Sequence, residues 1–255
     1  MTVDDSTTLA MALNCSGWTE CSARSLGVSA FRTRSLWWRK PGGSPIYLAA
    51  LIFDPDALEA QVFEELNEVH TAWGSAPISL YDCFATRDLS ALGYERLFQT
   101  PWYLRPVSPI APSAPPTGLS IEIVTNSDQL ADFERATCLG FEFAESDLPV
   151  RFGQHAEATL DDPGMYYLNA RLAGQVVAST IAYATGDMLG IYGMSTLPAF
   201  RRRGYGTALV HAVVALRPDL PVSVHPDPPS VPMYTCWGFS PAGEIASWGR
   251  ATGLT

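Results

Sequence analysis

Residues 197–210, Leu-Pro-Ala-Phe-Arg-Arg-Arg-Gly-Tyr-Gly-Thr-Ala-Leu-Val, constrain the fold of this chain more than any other segment. An apolar run at 188–196 reads as a strand, the basic glycine stretch as a turn, and the apolar residues after Gly206 as the first turns of a helix. A helix that starts in this way presents unpaired backbone N–H groups backed by the positive end of its dipole, which makes an anion cradle. Gly204 and Gly206 let the backbone approach an anion where a Cβ would obstruct it. The spacing is Arg-x-x-Gly-x-Gly, at Arg201, Gly204 and Gly206. No Lys-Ser/Thr follows the glycines, as a nucleotide P-loop requires, and the dinucleotide pattern is absent too. An isolated string of this kind is also found in ordinary surface turns, so its flanks decide.

Downstream, 221–224 is a short β-type run, and 230–237 predicts a short helix ending at Gly238-Phe239. Pro226, Pro228, Pro229 and Pro232 delay its start and confine Pro232 to the first turn. Upstream, 121–124 reads as a strand and 128–139 as a helix with Leu130, Phe133, Ala136 and Cys138 near one face. Residues 165–171 and 176–183 flank a turn at 172–175 as a hairpin, and a turn at 185–187 leads into the strand before the loop.

This order of elements around the glycine turn resembles the GNAT (Gcn5-related N-acetyltransferase) superfamily over residues 119–245. The resemblance implies an α/β (α+β) GNAT fold, a mixed, mainly antiparallel twisted sheet flanked by helices, with acetyl-CoA as cosubstrate. It implies that backbone groups of Met194, Ser195 and Thr196 pair with the pantetheine arm. The N–H groups of Arg202, Arg203, Gly204, Tyr205, Gly206 and Thr207 would hold the diphosphate, with Arg201 and Arg203 adding charge-assisted hydrogen bonds. Asp227 stands where many members have Asn. Tyr234, four residues before Gly238, matches the tyrosine whose hydroxyl lies near the CoA sulfur and protonates the leaving thiolate; as a bare aromatic it reads equally as packing. Residues 140–147 fall where the family places its acceptor loop. Glu142 and Glu145 are its candidate bases, with His225 a third, and each also reads as a group without a catalytic role. Phe141, Phe143, Trp102 and Tyr103 are candidates to line an acceptor pocket or to pack.

The implied reaction is acetyl transfer to a primary amine of a small molecule or peptide by direct attack on the thioester. Two other readings keep the cofactor: a non-catalytic acyl-CoA-binding sensor or scaffold, and an acyltransferase for longer chains. A net charge of −10 argues against broad nucleic-acid binding and suits a cationic amine. No apolar run approaches the roughly 18 residues of a membrane span, and the acidic start lacks a basic region leading into an apolar stretch, so a cytoplasmic, non-membrane protein is expected. Cys15, Cys21, Cys83, Cys138 and Cys236 have no CxxC spacing, which predicts neither a disulfide framework nor a metal site. The oligomeric state is left open between monomer and homodimer.

Prolines 106, 109, 112, 115 and 116, set among Ser and Ala, mark 105–118 as a linker between residues 1–104 and a catalytic domain at 119–255. The first part echoes the second. Residues 77–80 parallel 221–224, Gly93-Tyr94 parallels Gly238-Phe239, and the strand 46–53 followed by a helix at 57–73 parallels the strand and helix around the glycine turn. The reading is a tandem arrangement with a degenerate, shortened GNAT-like first half. Where the second half has its basic glycines, the first has Leu58 to Phe63 followed by Glu64 and Glu65, which repel a diphosphate; Leu89 stands in for Tyr234. One CoA site per chain is expected.

Overall fold

The computed structural model describes residues 5–42, 47–109, 114–148 and 153–250; Ile46 of the expected strand and linker positions 110–113 lie outside them. The chain divides into two compact units, Met1–Trp102 with Pro241–Thr255, and Tyr103–Ser240. No helix of the described residues is long and apolar enough to cross a membrane.

The first unit contains α1 (Asp5–Ser25), β1 (Ala30–Arg32), β2 (Leu36–Arg39), β3 (Ala50–Ile52), α2 (Glu59–Trp73), β4 (Ile78–Asp82) and most of β5 (Glu95–Arg105). The second contains the end of β5, then β6 (Leu119–Ile123), α3 (Ser127–Gly140), β7 (Met165–Leu172), β8 (Gln175–Ala184), β9 (Leu189–Thr196), α4 (Tyr205–Leu216), β10 (Val222–Val224) and α5 (Val231–Cys236). The last strand, β11 (Ser240–Arg250), returns to the first unit.

In the second unit the strand order is β5-β10-β9-β8-β7-β6. Only β9 and β10 are parallel, joined through α4; the other pairs are antiparallel. Helix α4 buries Leu209, Val210, Val213 and Val214, a stripe at helical spacing, against Leu189, Ile191 and Val222 of the sheet. Each such side chain contributes roughly 1.5–3 kcal/mol by leaving water. Helix α3 starts one residue earlier than its periodicity suggests, because the Asn126 side chain accepts from the Gln129 N–H and the Gln129 side chain accepts from the Thr125 N–H. Strand β5 continues through Arg105, whose buried guanidinium donates to the carbonyls of Trp237 and Ser108 at 2.9 and 3.1 Å.

In the first unit the order is β1-β2-β3-β4-β11, again with one parallel pair, β3 and β4, joined by a helix, α2. Val62, Leu66 and Val69 of α2 pack with Leu36, Ile52, Leu80 and Trp248. The echoes seen in the sequence have matching local geometry. Gly93 and Gly238 both take left-handed backbone, φ 78° and 82°. Tyr94 N donates to Leu89 O as Phe239 N donates to Tyr234 O, and Gly93 N to Ser90 O as Gly238 N to Thr235 O. Leu89 and Tyr234 are both buried.

Candidate functional site

The parallel partners β9 and β10 are in register only from Leu189 with Val222 to Ile191 with Val224. Beyond Ile191, β9 carries a bulge. Tyr192 lies opposite Ile181 and Ser195 opposite Ser179, so Gly193 and Met194 together face Thr180. Gly193 supports this with φ 54°. The backbone of Met194, Ser195 and Thr196 therefore has no β10 partner and opens onto a cavity of about 740 Å³ in the second unit.

The glycine turn closes one end of that cavity. A short 3₁₀ turn, Pro198–Phe200, precedes it, and Gly204 caps α4 in left-handed conformation, φ 82°, with no side-chain cap hydrogen bond among the described residues. Arg202 is left-handed as well, φ 63°. Arg202, Gly204, Tyr205, Gly206 and Thr207 all line the cavity, so the uncapped end of α4 faces into it. A Cβ on Gly206 would stand 3.2 Å from Met233 Sδ, so a larger residue there would press on the Met233 side chain of α5. The site thus offers backbone N–H groups at a helix start, with Arg202 exposed beside them and in no hydrogen bond among the described residues, a donor set suited to an anion.

Of the other two arginines, neither lies free over the cradle. Arg201 donates from Nε to Thr196 O at 3.1 Å, from Nη2 to Gly140 O at 2.8 Å, and from Nη1 to Glu142 Oε1 at 2.6 Å. Arg203 donates to Ala199 O and lies over the Phe200 ring, 5.4 Å from its centroid. Arg201 thus ties the end of α3 to the end of β9. Gly140 approaches Ser195 so closely that an added Cβ would be 2.6 Å from the serine Cβ, and Thr137, Ser179 and Ser195 join by hydroxyl hydrogen bonds of 2.8 and 3.1 Å beneath it.

Tyr234 projects from α5, which starts at Val231 after a 3₁₀ turn at Pro228–Ser230, with Pro232 in its first turn as the sequence suggests. The ring is buried, 3% exposed, edge-on to Phe239 at 5.3 Å. Its hydroxyl donates to Met194 Sδ at 3.4 Å. Burial, and secondarily the Asp227 charge, raise the phenol well above its ordinary pKa, so it stays protonated and able to donate.

The three base candidates separate. Glu142, at φ 65°, lines the cavity with its carboxylate on Arg201. Glu145 is not among the lining residues and pairs with Arg135 at 2.6 Å. His225, at the end of β10, is held neutral near pH 7 because burial lowers its pKa to about 4. Asp227 is exposed and lines the cavity, as does Phe141; Phe143 and Tyr103 do not, and Trp102 is buried within β5. Gly140, the first residue of the expected acceptor loop, lines the cavity, as do Phe200, Pro229, Ser230 and Met233, to which sequence reasoning gave no site role. Nothing local marked Met233.

Residues 129–239 match a family model described as the acetyltransferase (GNAT) family. The fold is similar to that of a GCN5-related N-acetyltransferase from Kribbella flavida, 17% identical, with 94% of this chain and 96% of that one covered at a TM-score of 0.61. A second, from Sphaerobacter thermophilus, is 16% identical and covers 98% of this chain and 94% of its own at 0.55. A functionally unknown conserved protein from Staphylococcus epidermidis is 12% identical, with 92% and 100% covered at 0.59. No curated protein matches the sequence.

Proposed function

We propose, from the match of residues 129–239 to the acetyltransferase (GNAT) family model and from the geometry of the cavity, that the chain is an acetyl-CoA-dependent N-acetyltransferase acting on a primary amine of a small molecule or peptide. The observation that carries the reading is one cavity lined by an uncapped helix start at Gly204, by the unpartnered end of β9, and by Met194, the residue that holds the Tyr234 hydroxyl. These residues fit the cofactor. The α4 N-terminus and Arg202 match a diphosphate in charge and donor count, and the β9 edge offers an extended arm backbone partners.

Acetyl-CoA, when bound, would supply the acetyl thioester, exchanging its C–S bond for a C–N bond to the amine. The remaining tasks fall to this chain. Tyr234, kept protonated by burial, supplies a proton to the leaving sulfur. Glu142, held by Arg201 at the cavity wall, accepts the proton the amine loses, through water. Glu145, paired with Arg135 outside the lining, is the weaker candidate. The net charge of −10 favours a cationic acceptor.

We read the first unit as a degenerate GNAT-like half, supported by its parallel β3-α2-β4 unit and by the shared turn at Gly93 and Gly238. The segment before α2 is occupied by Arg87, which donates to the carbonyls of Asp54 and Ala57 at 2.9 and 2.8 Å. One CoA site per chain follows, with a cytoplasmic setting and either a monomer or a homodimer.

The test is release of free thiol from acetyl-CoA with a panel of primary amines. Release that depends on an amine supports the transferase. Tight binding of acetyl-CoA with no release on any amine favours an acyl-CoA sensor instead.

A further inference from the structure

Met194 is the second residue of the β9 bulge and is half-buried. Its thioether accepts the Tyr234 hydroxyl at 3.4 Å and also lies 4.0 Å from the position a Cβ would take on Gly206, in the first turn of α4. One side chain therefore spans the way from the cradle to the phenol. Sulfur is a weak acceptor and methionine has three rotatable bonds, so this contact is easily exchanged for another. A thioester sulfur arriving beside Tyr234, and the thiolate that leaves from it, would compete for the same hydroxyl.

We propose that Met194 is a specificity-determining gate on the acyl end of the cavity, a reading that rests on the cofactor assignment above. Its thioether holds the Tyr234 hydroxyl until an acyl-CoA displaces it, and the displaced side chain then takes up the volume that carbons beyond an acetyl group would need. The substrate class is thus the short acyl-CoAs.

Calorimetric titration of acetyl-CoA and butyryl-CoA into the full chain and its Met194→Ala and Met194→Leu variants tests this. Wild type should prefer acetyl-CoA. Met194→Ala should raise butyryl-CoA affinity by about tenfold relative to acetyl-CoA, the order expected when two methylenes gain an apolar space. Met194→Leu, of similar bulk without sulfur, should retain the wild-type preference. If Met194→Ala does not fold, Met194→Val shortens the side chain with less loss of packing and should shift the ratio the same way. A butyryl-to-acetyl ratio unchanged by shortening, or a preference lost with Leu, overturns the gate while leaving the cofactor site intact. Binding of neither ligand by any form removes the cofactor assignment and the gate together.

Discussion

Arg201 and Glu142, 59 residues apart in sequence, form an ion pair of 2.6 Å at the wall of the cavity, and the same guanidinium holds the carbonyls of Gly140 and Thr196. The first arginine of the glycine turn is therefore engaged with the protein itself. Its role is to key the segment after α3 to the strand that borders the cavity.

That engagement separates two substitutions. Both partners are largely exposed, so Glu142→Gln should cost less than about 1 kcal/mol of stability. Arg201→Ala removes two carbonyl hydrogen bonds as well and should cost about 1–2 kcal/mol more. Urea denaturation measures both. If Glu142 is the proton acceptor, Glu142→Gln also lowers kcat by about 100-fold, out of proportion to its small effect on stability.

Tyr234→Phe isolates the phenolic oxygen, which donates to the Met194 thioether. The fold should lose less than about 1 kcal/mol, while kcat falls by about 100-fold or more and the KM for acetyl-CoA changes little. Steady-state kinetics with a fixed amine decide the matter. Full turnover in the variant would leave the ring a packing role only.

Two histidines make stability depend on pH. Burial among Phe133 and Tyr167 lowers the pKa of His155 to about 3, and burial lowers that of His225 to about 4, both from an ordinary value near 6.5. Between those values the unfolded chain binds protons that the folded chain does not. Stability therefore falls as pH drops below about 6.5, by up to ~1.4 kcal/mol per pH unit for each ring. His155→Phe should flatten the slope of unfolding free energy between pH 4.5 and 6.5, and parallel slopes for variant and wild type would contradict the account.

Arg87 anchors the segment before α2 through the carbonyls of Asp54 and Ala57. Arg87→Ala should destabilise the chain by about 2–3 kcal/mol, since two charged hydrogen bonds to backbone carbonyls are lost. Acetyl-CoA affinity, measured by titration below the unfolding transition, should stay at its wild-type value. A large drop in affinity would mean that the first unit takes part in binding.

Local pattern made the second unit legible. Apolar periodicity placed α3 and α4, the turn at 172–175 placed the hairpin, and the prolines before α5 delayed it until Val231. The start of the first unit was illegible for a physical reason: α1 buries Thr8, Asn14, Ser16, Thr19 and Ser22 beside Cys15 and Ala12, so it shows no apolar stripe. The placement of β11 in the first unit follows from long-range pairing, Trp248 opposite Leu80, which no local spacing reveals. The direction of Arg201 was hidden for the same reason. Its sequence neighbours are cationic, and its partners Gly140 and Glu142 come from another element.

The central claim is that the turn around Gly204 is a cofactor cradle, and isothermal titration of acetyl-CoA tests it most directly, run beside a variant carrying Arg203→Glu and Gly204→Glu. The account predicts one site per chain in the wild type and no binding in the variant, with its secondary structure retained. Two sites, or a variant that binds as the wild type does, would contradict it.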